Sequence, residues 1–204
     1  MPYFVKEIFY SLQGEGVNAG RPAVFCRFAG CNLWSGKEED RAGADCQFCD
    51  TDFLGGKKYL DSENLARAII QEWPGRCSPF VVLTGGEPLL QLDSPLISAL
   101  KTHNAIIALE TNGTLPILPG LDWVTVSPKA QAALHAQAGD ELKLVYPQAG
   151  IDPAQYLKLN FKHFVIQPLD NEDRARNISA SAAYCLANPP WRLGLQTHKL
   201  LGLR

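Results

Sequence analysis

The chain has 204 residues, 46% of them hydrophobic, which is enough to bury one substantial core and close to the usual size of one domain. Lysine and arginine total 19 against 21 aspartate and glutamate residues, so the charge does not favour binding to nucleic acid or to an anionic membrane surface. The start of the chain lacks the pattern of a signal peptide, and no window approaches the roughly 20 apolar residues that cross a bilayer. We therefore expect a cytoplasmic protein with one domain over residues 1–204.

Short runs of β-branched and aromatic residues recur along the chain, and each predicts a buried strand. In chain order these strands cover residues 24–28, 80–84, 105–110, 123–126, 142–146, 164–167 and 191–196. Helical patterns lie between several of them, at residues 62–73, 94–102 and 172–186. In the second helix Ser94 is the expected N-cap and Pro95 the first helical residue. Strands that alternate with helices predict a parallel sheet.

The expected architecture is an incomplete α/β barrel. A full barrel of eight β/α units takes roughly 250 residues, more than this chain has. Residues 111–122 also carry no helical pattern between two predicted strands. We therefore predict an α/β fold with a partial, TIM-like barrel of about six parallel strands, and a loop inserted at residues 35–45. Open sheet edges need cover, so a homodimer is the expected assembly.

Polar or glycine-rich segments follow five of the predicted strands at the point where each strand ends. Ligands of parallel α/β sheets bind at this carboxyl edge, where the ends of neighbouring strands meet. The segments are AGCNLW after Phe28, TGGEP after Leu83, ETNGT after Leu109, SPK after Val126 and QPLD after Ile166. One edge of one sheet should therefore gather all of them.

Three of the six cysteines have a spacing that suits an iron–sulfur cluster. Cys31, Cys46 and Cys49 form the pattern C-x14-C-x2-C in an irregular segment after the first strand of the predicted barrel. Three thiolates can bind three irons of a [4Fe-4S] cubane and leave the fourth iron free for a substrate or cofactor. The spacing leaves open a structural zinc site and unrelated buried cysteines, although no histidine stands at finger-like spacing from Cys46 and Cys49.

Eight short motifs follow one another along nearly the whole chain. They are FYSLQGEG at residues 9–16, RFAGCNLW at 27–34, CQFCDT at 46–51, TGGEP at 84–88, ETNG at 110–113, SPK at 127–129, QP at 167–168 and THK at 197–199. In this order they resemble the radical S-adenosylmethionine enzymes and, within that superfamily, the 7-carboxy-7-deazaguanine synthase family. The resemblance implies a modified radical S-adenosylmethionine core, which agrees with a partial barrel.

The cluster motif departs from the superfamily pattern. Radical S-adenosylmethionine enzymes usually space their cysteines C-x3-C-x2-C, and Ser35 occupies the position of the second cysteine here. We predict that Cys46 replaces it, because the segment from Cys46 onward rejoins the family pattern through CDT and because loop insertion costs little free energy. Cys46 must then fold back beside Cys31 across the inserted residues.

The resemblance implies a carbon–nitrogen lyase with a small pterin substrate. Such an enzyme converts 6-carboxy-5,6,7,8-tetrahydropterin to 7-carboxy-7-deazaguanine with loss of ammonia, in the biosynthesis of queuosine and other 7-deazapurines. It uses a [4Fe-4S] cluster, S-adenosylmethionine and Mg²⁺, and it takes its electron from a donor such as flavodoxin or ferredoxin. An activating enzyme that acts on a partner protein and a non-catalytic zinc or iron–sulfur module are the alternative functions.

The same resemblance assigns residues to the cofactors. The positions expected to hold S-adenosylmethionine are Phe48, Cys49, Asp50, Gly86, Glu87, Ser127, Pro128, Lys129, Gln167, Pro168, Leu169 and Asp170. Within TGGEP the paired glycines would let the backbone approach a ligand closely, and Glu87 would meet the ammonium group of the cofactor. The cluster would take its thiolates from Cys31, Cys46 and Cys49. The hydroxyl oxygen of Thr51 would bind Mg²⁺ together with substrate oxygens.

Further residues are assigned to the substrate by resemblance. They are Leu12, Gln13, Gly14, Arg27, Thr84 and Arg204. Arg27 suits the carboxylate of the pterin because a planar guanidinium can donate two hydrogen bonds to it. Glu15, Glu110 and His198 are the candidates for a catalytic role.

Overall fold

One sheet organises the fold, which is described by a computed structural model over residues 2–204. Within these residues the nine strands are β1 (Tyr3–Leu12), β2 (Pro22–Phe28), β3 (Lys57–Tyr59), β4 (Phe80–Gly85), β5 (Ile106–Thr111), β6 (Trp123–Val126), β7 (Ala138–Tyr146), β8 (Asn160–Pro168) and β9 (Trp191–Leu193). The helices are α1 (Ser62–Gln71), α2 (Ser94–Thr102), α3 (Arg174–Ala187) and α4 (Thr197–Leu201). Short 3-10 helices cover Glu38–Gly43, Pro88–Leu90 and Pro153–Tyr156. In this part of the chain no helix has the length and apolar composition needed to cross a membrane.

The strands form an open sheet in the order β3-β1-β2-β4-β5-β6-β7-β8-β9. The seven strands from β2 to β9 in this order run parallel, and β1 and β3 add two antiparallel strands at one edge. Over residues 2–204 the edge strands β3 and β9 do not pair with each other, so the barrel is incomplete. The predicted α/β fold with a partial parallel barrel is confirmed. It has seven parallel strands where about six were expected.

Strand β1 is missing from the sequence prediction. Tyr3 and Val5 are both buried, as the alternation of a strand requires. Lys6 and Glu7 then interrupt the apolar pattern, and the register against β2 shifts between Val5 and Glu7. The interruption hides the strand from a search for apolar alternation. Leu12 is the last residue of β1.

Some predicted boundaries also need correction. Helix α2 has the predicted bounds, but its N-cap is Asp93 rather than Ser94, because the Asp93 carboxylate accepts a hydrogen bond from Leu96 N at 3.0 Å. Strand β9 ends at Leu193, before the predicted end at residue 196. Beyond β9 the chain turns away from the sheet, and Thr197 N donates to Gly14 O at 2.8 Å. Strands β7 and β8 begin before their predicted starts at residues 142 and 164.

The helices cover one face of the sheet and leave the other face to line a concave interior. Helices α1 and α2 pack Leu65 and Leu96 against the outer face of β2, β4 and β5. Trp191 of β9 belongs to a second cluster, on the outer face of β7 and β8 beneath α3. Phe25 and Val82 point the opposite way, because successive side chains of a strand alternate between faces. This inner face leads to the carboxyl ends of the parallel strands.

Candidate functional site

A cavity of about 460 Å³ opens at the carboxyl edge of the parallel strands, on the inner face of the sheet. Its volume lies within the range of small-molecule sites. All the site residues predicted from the sequence line this cavity except Glu87 and Pro128. The structure therefore brings the motifs together, and the binding roles assigned to them stay predictions.

Three inner-face side chains stand next to one another across the sheet. Arg27 on β2 is paired in register with Thr84 on β4, and Leu83 is paired with Leu109 on β5, so Glu110 follows next to Thr84. Thr84 Oγ1 donates to Glu110 Oε2 at 3.1 Å. Neighbouring strands lie about 4.8 Å apart. Arg27 on β2 and Glu110 on β5 are thus separated by two strand spacings, on the order of 10 Å.

The three predicted cluster ligands lie in the wall of this cavity. Cys31 follows β2, and Cys46 and Cys49 lie in the loop after the 3-10 helix Glu38–Gly43. The Cys46 thiol donates to Cys49, which lowers the pKa of Cys49 to about 6 and raises the pKa of Cys46. Across residues 2–204 no three histidine, cysteine, aspartate or glutamate side chains converge closely enough to hold one metal ion. Three thiols that face a shared space suit a cubane, in which each thiolate binds a different iron.

Arg41 holds the inserted segment against the loop that carries the second and third cysteines. Its Nη1 donates to the carbonyl oxygens of Gln47 and Cys49 at 3.0 and 3.1 Å. Its guanidinium carbon lies 4.0 Å from the centroid of the Trp34 ring. Its Nε donates to the two carboxylate oxygens of Glu38 at 2.8 and 2.7 Å. One side chain therefore joins the insertion to both ends of the cysteine motif through charge-assisted and cation–π contacts.

Ser35, at the usual position of the second cysteine, faces the insertion and does not line the cavity. Its hydroxyl donates to Asp40 Oδ2 at 2.5 Å and accepts from Lys37 N at 3.2 Å. Cys46 N instead donates to Leu33 O at 3.3 Å, which ties the second cysteine to the loop after β2. The structure thus brings Cys46, and not Ser35, into the cavity wall.

The paired glycines of TGGEP allow two loops to approach each other. Gly85 has φ +130°, and a Cβ there would overlap the backbone of Phe28. A Cβ at Gly86 would overlap Gly30 O. Glu87 N donates to the same oxygen at 2.9 Å. The glycines allow the loop that carries the first cysteine to approach β4, and their predicted close contact with a ligand stays a prediction.

Glu87 is fully buried outside the cavity lining. Its carboxylate accepts from Thr111 Oγ1 and Asn112 N at 2.8 Å each, and from Leu89 N at 3.0 Å. Burial raises its pKa, although these three donors oppose the shift. The carboxylate therefore joins the ends of β4 and β5, and its contact with a cofactor ammonium stays a prediction. Pro128 is likewise buried.

Two polar side chains from the SPK and QPLD segments lie in the part of the wall formed by β6 and β8. Lys129 Nζ donates to Ser127 O and Oγ at 2.6 and 2.9 Å, and burial lowers its pKa. Gln167 is buried, and its Oε1 has no hydrogen-bond partner among the described residues. A buried acceptor without a partner is uncommon in native proteins, so a ligand N–H would complete this one.

Four inner-face side chains and Lys143 form a connected polar group. Gln13 Nε2 donates to Glu110 Oε1 at 2.8 Å, and Gln13 Oε1 accepts from Glu15 N at 3.1 Å. Thr84 donates to the other Glu110 oxygen, and Lys143 Nζ donates to the Glu15 carboxylate. Burial would raise the pKa of Glu15, but the ion pair with Lys143 holds it well below its usual range. Glu15 is therefore a fixed anionic acceptor and is unsuited to proton transfer at neutral pH.

Lys143 is a site residue that the sequence prediction missed. On β7, Leu142 and Leu144 face the outer core, whereas Lys143 lines the cavity and Glu141 lines a small pocket beside it. The alternation is visible in the sequence, but alternating polar residues usually mark a strand with one face in water. In this partial barrel the polar face of β7 points into the site.

Two arginines meet one carboxylate on β1. Arg27 Nε donates to Glu7 Oε1 at 2.9 Å, and Arg204 donates to Glu7 Oε2. The Arg204 guanidinium carbon lies 4.8 Å from the centroid of the Phe9 ring, and Ser11 Oγ donates to Arg204 O at 2.9 Å. The end of the chain is thus bound along β1, where it adds a second cation beside Arg27.

Helix α4 closes one side of the cavity. The ring of His198 packs on Gly14, where a Cβ would overlap it. Lys199 Nζ donates to Asp50 Oδ2 and to Asp170 Oδ2, both at 2.6 Å. Lys199 appears in the THK motif, yet nothing in the sequence indicated its partners. It links the loop that carries Cys46 and Cys49 to the segment after β8.

Comparisons with known proteins identify close relatives. No protein-family model matches the chain. The chain is 56% identical over 209 residues to the 7-carboxy-7-deazaguanine synthase of Burkholderia multivorans, with 100% of both chains covered. Proteins with the same description from Bordetella pertussis and Caulobacter vibrioides are 54% and 53% identical, again over 100% of both chains.

A solved structure shows the same architecture. The crystal structure of QueE from Escherichia coli superposes with a TM-score of 0.70 at 28% sequence identity. The match covers 96% of this chain and 94% of that one. The two proteins therefore share the overall fold over nearly the full length of both chains.

Proposed function

Because the chain belongs to the 7-carboxy-7-deazaguanine synthase family, we propose that it is a radical S-adenosylmethionine lyase. It converts 6-carboxy-5,6,7,8-tetrahydropterin to 7-carboxy-7-deazaguanine with loss of ammonia, in the pathway to queuosine and other 7-deazapurines. The observation that carries this proposal is the cavity of about 460 Å³, in which three thiols, two arginines and a group of carboxylates face one space. A site of this composition suits a redox cofactor next to a small, polar anion.

The cofactors are a [4Fe-4S] cluster and S-adenosylmethionine. The thiolates of Cys31, Cys46 and Cys49 hold the cluster, and three thiols leave one iron open to the second cofactor. When bound, this pair supplies one-electron chemistry through a 5′-deoxyadenosyl radical. Gln167 Oε1 offers a buried acceptor to a ligand N–H, and Lys129 brings positive charge to the same wall. These side chains bind and orient the cofactor and exclude water from it.

The substrate lies across the inner face of the sheet. Arg27 and Arg204 bind its carboxylate, because two guanidinium groups beside one carboxylate can each donate two hydrogen bonds. Glu15 and Glu110 accept hydrogen bonds from the amino and ring N–H groups of its pyrimidine half. The two ends are on the order of 10 Å apart across the strands, which a fused two-ring substrate with a terminal carboxylate can span. His198, which packs on the Gly14 loop, is the candidate for proton transfer to the departing ammonia.

Mg²⁺ binds at Thr51. This residue follows Cys49 and Asp50 in the sequence and lines the cavity. Mg²⁺ keeps several of its waters and needs few protein ligands, so one hydroxyl oxygen together with substrate oxygens forms a reasonable site.

We propose further that the 204 residues act as one domain and as a homodimer. One nine-stranded sheet runs through the described residues, and its edge strands β3 and β9 offer unpaired backbone groups. Homodimers with two-fold symmetry are the commonest way to cover such edges. The electron comes from a donor such as flavodoxin or ferredoxin.

The proposed function is tested by anaerobic reconstitution with iron and sulfide. The holoenzyme is then incubated with reductant, S-adenosylmethionine, Mg²⁺ and 6-carboxytetrahydropterin, and products are read by mass spectrometry. Formation of 7-carboxy-7-deazaguanine is the expected result. Formation of 5′-deoxyadenosine alone would keep the cofactor chemistry and reject the substrate. Absence of both products, with zinc bound, would favour a structural metal module.

A further inference from the structure

Lys143 lies at the floor of the cavity among three carboxylates. We use "acidic floor" for Glu15, Glu110, Glu141 and Lys143 together. The Lys143 side chain is 7% exposed, and its Nζ donates to Glu15. Burial would lower the pKa of Lys143, but attraction to the three carboxylates raises it above its usual range. The lysine therefore stays charged in a place where an unpaired cation would be costly.

Each element that packs around Glu15 and Lys143 brings its own ionisable group. Glu110 comes from β5, Glu141 and Lys143 from β7, Lys129 from the loop after β6, and His198 from α4. Without Lys143 the carboxylates would face one another in a poorly hydrated space. Burial and like charge both favour the protonated form of a carboxylate. Loss of Lys143 would therefore raise the pKa of Glu15.

The ionisation state of Glu15 matters because, in the proposed function, its carboxylate faces the hydrogen-bond donors of the pterin. Its Oε1 accepts from Gln196 Nε2 at 2.8 Å, and its other oxygen accepts from Lys143. Each carboxylate oxygen has two lone pairs, so each keeps one free direction. The pyrimidine half of a pterin presents an amino group and a ring N–H, which are donors. An ionised carboxylate accepts from both, whereas a protonated carboxyl presents a donor of its own.

We propose that Lys143 is a positioning residue for the substrate, which holds Glu15 in place as a charged acceptor for the N–H edge of the pyrimidine ring. Lys143 acts through Glu15 and not by its own contact with the substrate. The proposal rests on the proposed function, since a pterin supplies the donor edge.

The experiment measures substrate affinity apart from turnover. The reconstituted holoenzyme with S-adenosylmethionine and without reductant is titrated with 6-carboxytetrahydropterin, from about pH 6 to about pH 9, the range in which a perturbed carboxyl would titrate. The wild-type Kd should stay flat. Lys143→Met should bind about tenfold more weakly at the acidic end, the usual cost of losing a hydrogen bond to a charged group, and should recover as pH rises. Lys143→Arg keeps the charge and should stay close to wild type.

A second pair of variants tests whether Lys143 acts through Glu15. Glu15→Gln keeps the shape of the side chain but removes its charge, so its Kd should rise by about tenfold at every pH. Adding Lys143→Met to Glu15→Gln should then change Kd by less than about threefold, because the interaction it disrupts is already gone. Equal additive losses would overturn the proposal and assign Lys143 a direct contact with the substrate.

Two control measurements separate an effect on pterin binding from misfolding or loss of the cofactors. Iron content and the S-adenosylmethionine-dependent change in the cluster's electron paramagnetic resonance spectrum show whether each variant is folded and loaded. A loaded Lys143→Met that binds like wild type at every pH would overturn the proposal. If Lys143→Met does not load, Lys143→Gln replaces it, and a flat profile in that variant overturns the proposal equally. A wild-type protein that does not bind the pterin would instead reject the proposed function.

Discussion

The loop of residues 31–51, here the cysteine loop, and the acidic floor are built in opposite ways. The cysteine loop contains no strand, and the contacts of the Arg41 side chain join its insertion to the residues around Cys46 and Cys49. In the acidic floor, Glu110, Glu141 and Lys143 stand on strands whose register fixes where each side chain points. A position on a strand takes its direction from many backbone hydrogen bonds, whereas a loop position depends on a few side chains. Single substitutions should therefore displace the cysteine loop, and in the floor they should mainly change charge.

The largest expected effect is loss of the cluster in Cys46→Ala. Removing one of three thiolates leaves an iron without its protein ligand, so iron content should fall to background and turnover should disappear. Iron and sulfide analysis after anaerobic reconstitution measures this. Ser35→Ala is the matched control and should load normally, because Ser35 faces the insertion. Full iron content and turnover in Cys46→Ala would show the ligand assignment to be wrong.

Gly86→Ala should disturb the contact between the cysteine loop and the strands. A Cβ at this position would overlap Gly30 O, and two backbone segments cannot move apart without breaking the Glu87 N to Gly30 O bond. We expect a loss of about 2–4 kcal/mol in the free energy of unfolding, measured by denaturant titration of the protein without cluster. Gly43→Ala is the control within the insertion, where no heavy atom lies within 4 Å of the added carbon. Similar stability of the two variants would contradict the packing argument.

Arg41→Gln should weaken the cysteine loop without unfolding the protein. The variant loses the bonds to two carbonyl oxygens and the stacking on Trp34, together worth about 1–3 kcal/mol. A chelator should then remove iron roughly tenfold faster than from wild type. Arg41→Lys should rescue little, because a lysine cannot reproduce the planar fork. Arg67→Gln, an exposed change on α1, should leave the rate unaltered.

Lys199→Gln should have the smallest effect. The lysine pairs with Asp50 and Asp170 at 2.6 Å, but its side chain is 28% exposed, so the pairs are partly screened by water. We expect the substitution to cost about 0.5–1 kcal/mol of binding free energy. This cost should appear as a two- to fivefold rise in KM, and the rise should shrink as salt is added. Lys162→Gln removes a surface pair with Asp140 and should leave KM unchanged. A salt-independent rise in KM would contradict an electrostatic role for Lys199.

The resemblance of the sequence motifs to a known family predicted the cysteines of the cysteine loop, and in the acidic floor it predicted Glu15 and Glu110 but neither Lys143 nor Glu141. The return to the family pattern at CDT predicted Cys46 as the second thiol, whereas the cysteine spacing alone left open a zinc site and unrelated buried cysteines. Arg27, Thr84 and Glu110 were predicted from the resemblance of their motifs to those of the family. Lys143 gave only the ordinary alternation of a half-exposed strand.

Local periodicity predicted seven of the nine strands of the described residues, the three longer helices and the parallel sheet, whereas the cluster role of the three cysteines came from the resemblance to a known family and stays a prediction. Only the tertiary structure decided that Lys143 on β7 faces the cavity and that Glu87 is buried among hydrogen-bond donors. It also decided that Lys199 donates to both Asp50 and Asp170. The physical reason is that periodicity reports which residues share a face, whereas the curvature of the sheet decides whether that face meets water or the site. A charged residue such as Lys143 looks the same in the sequence in either case.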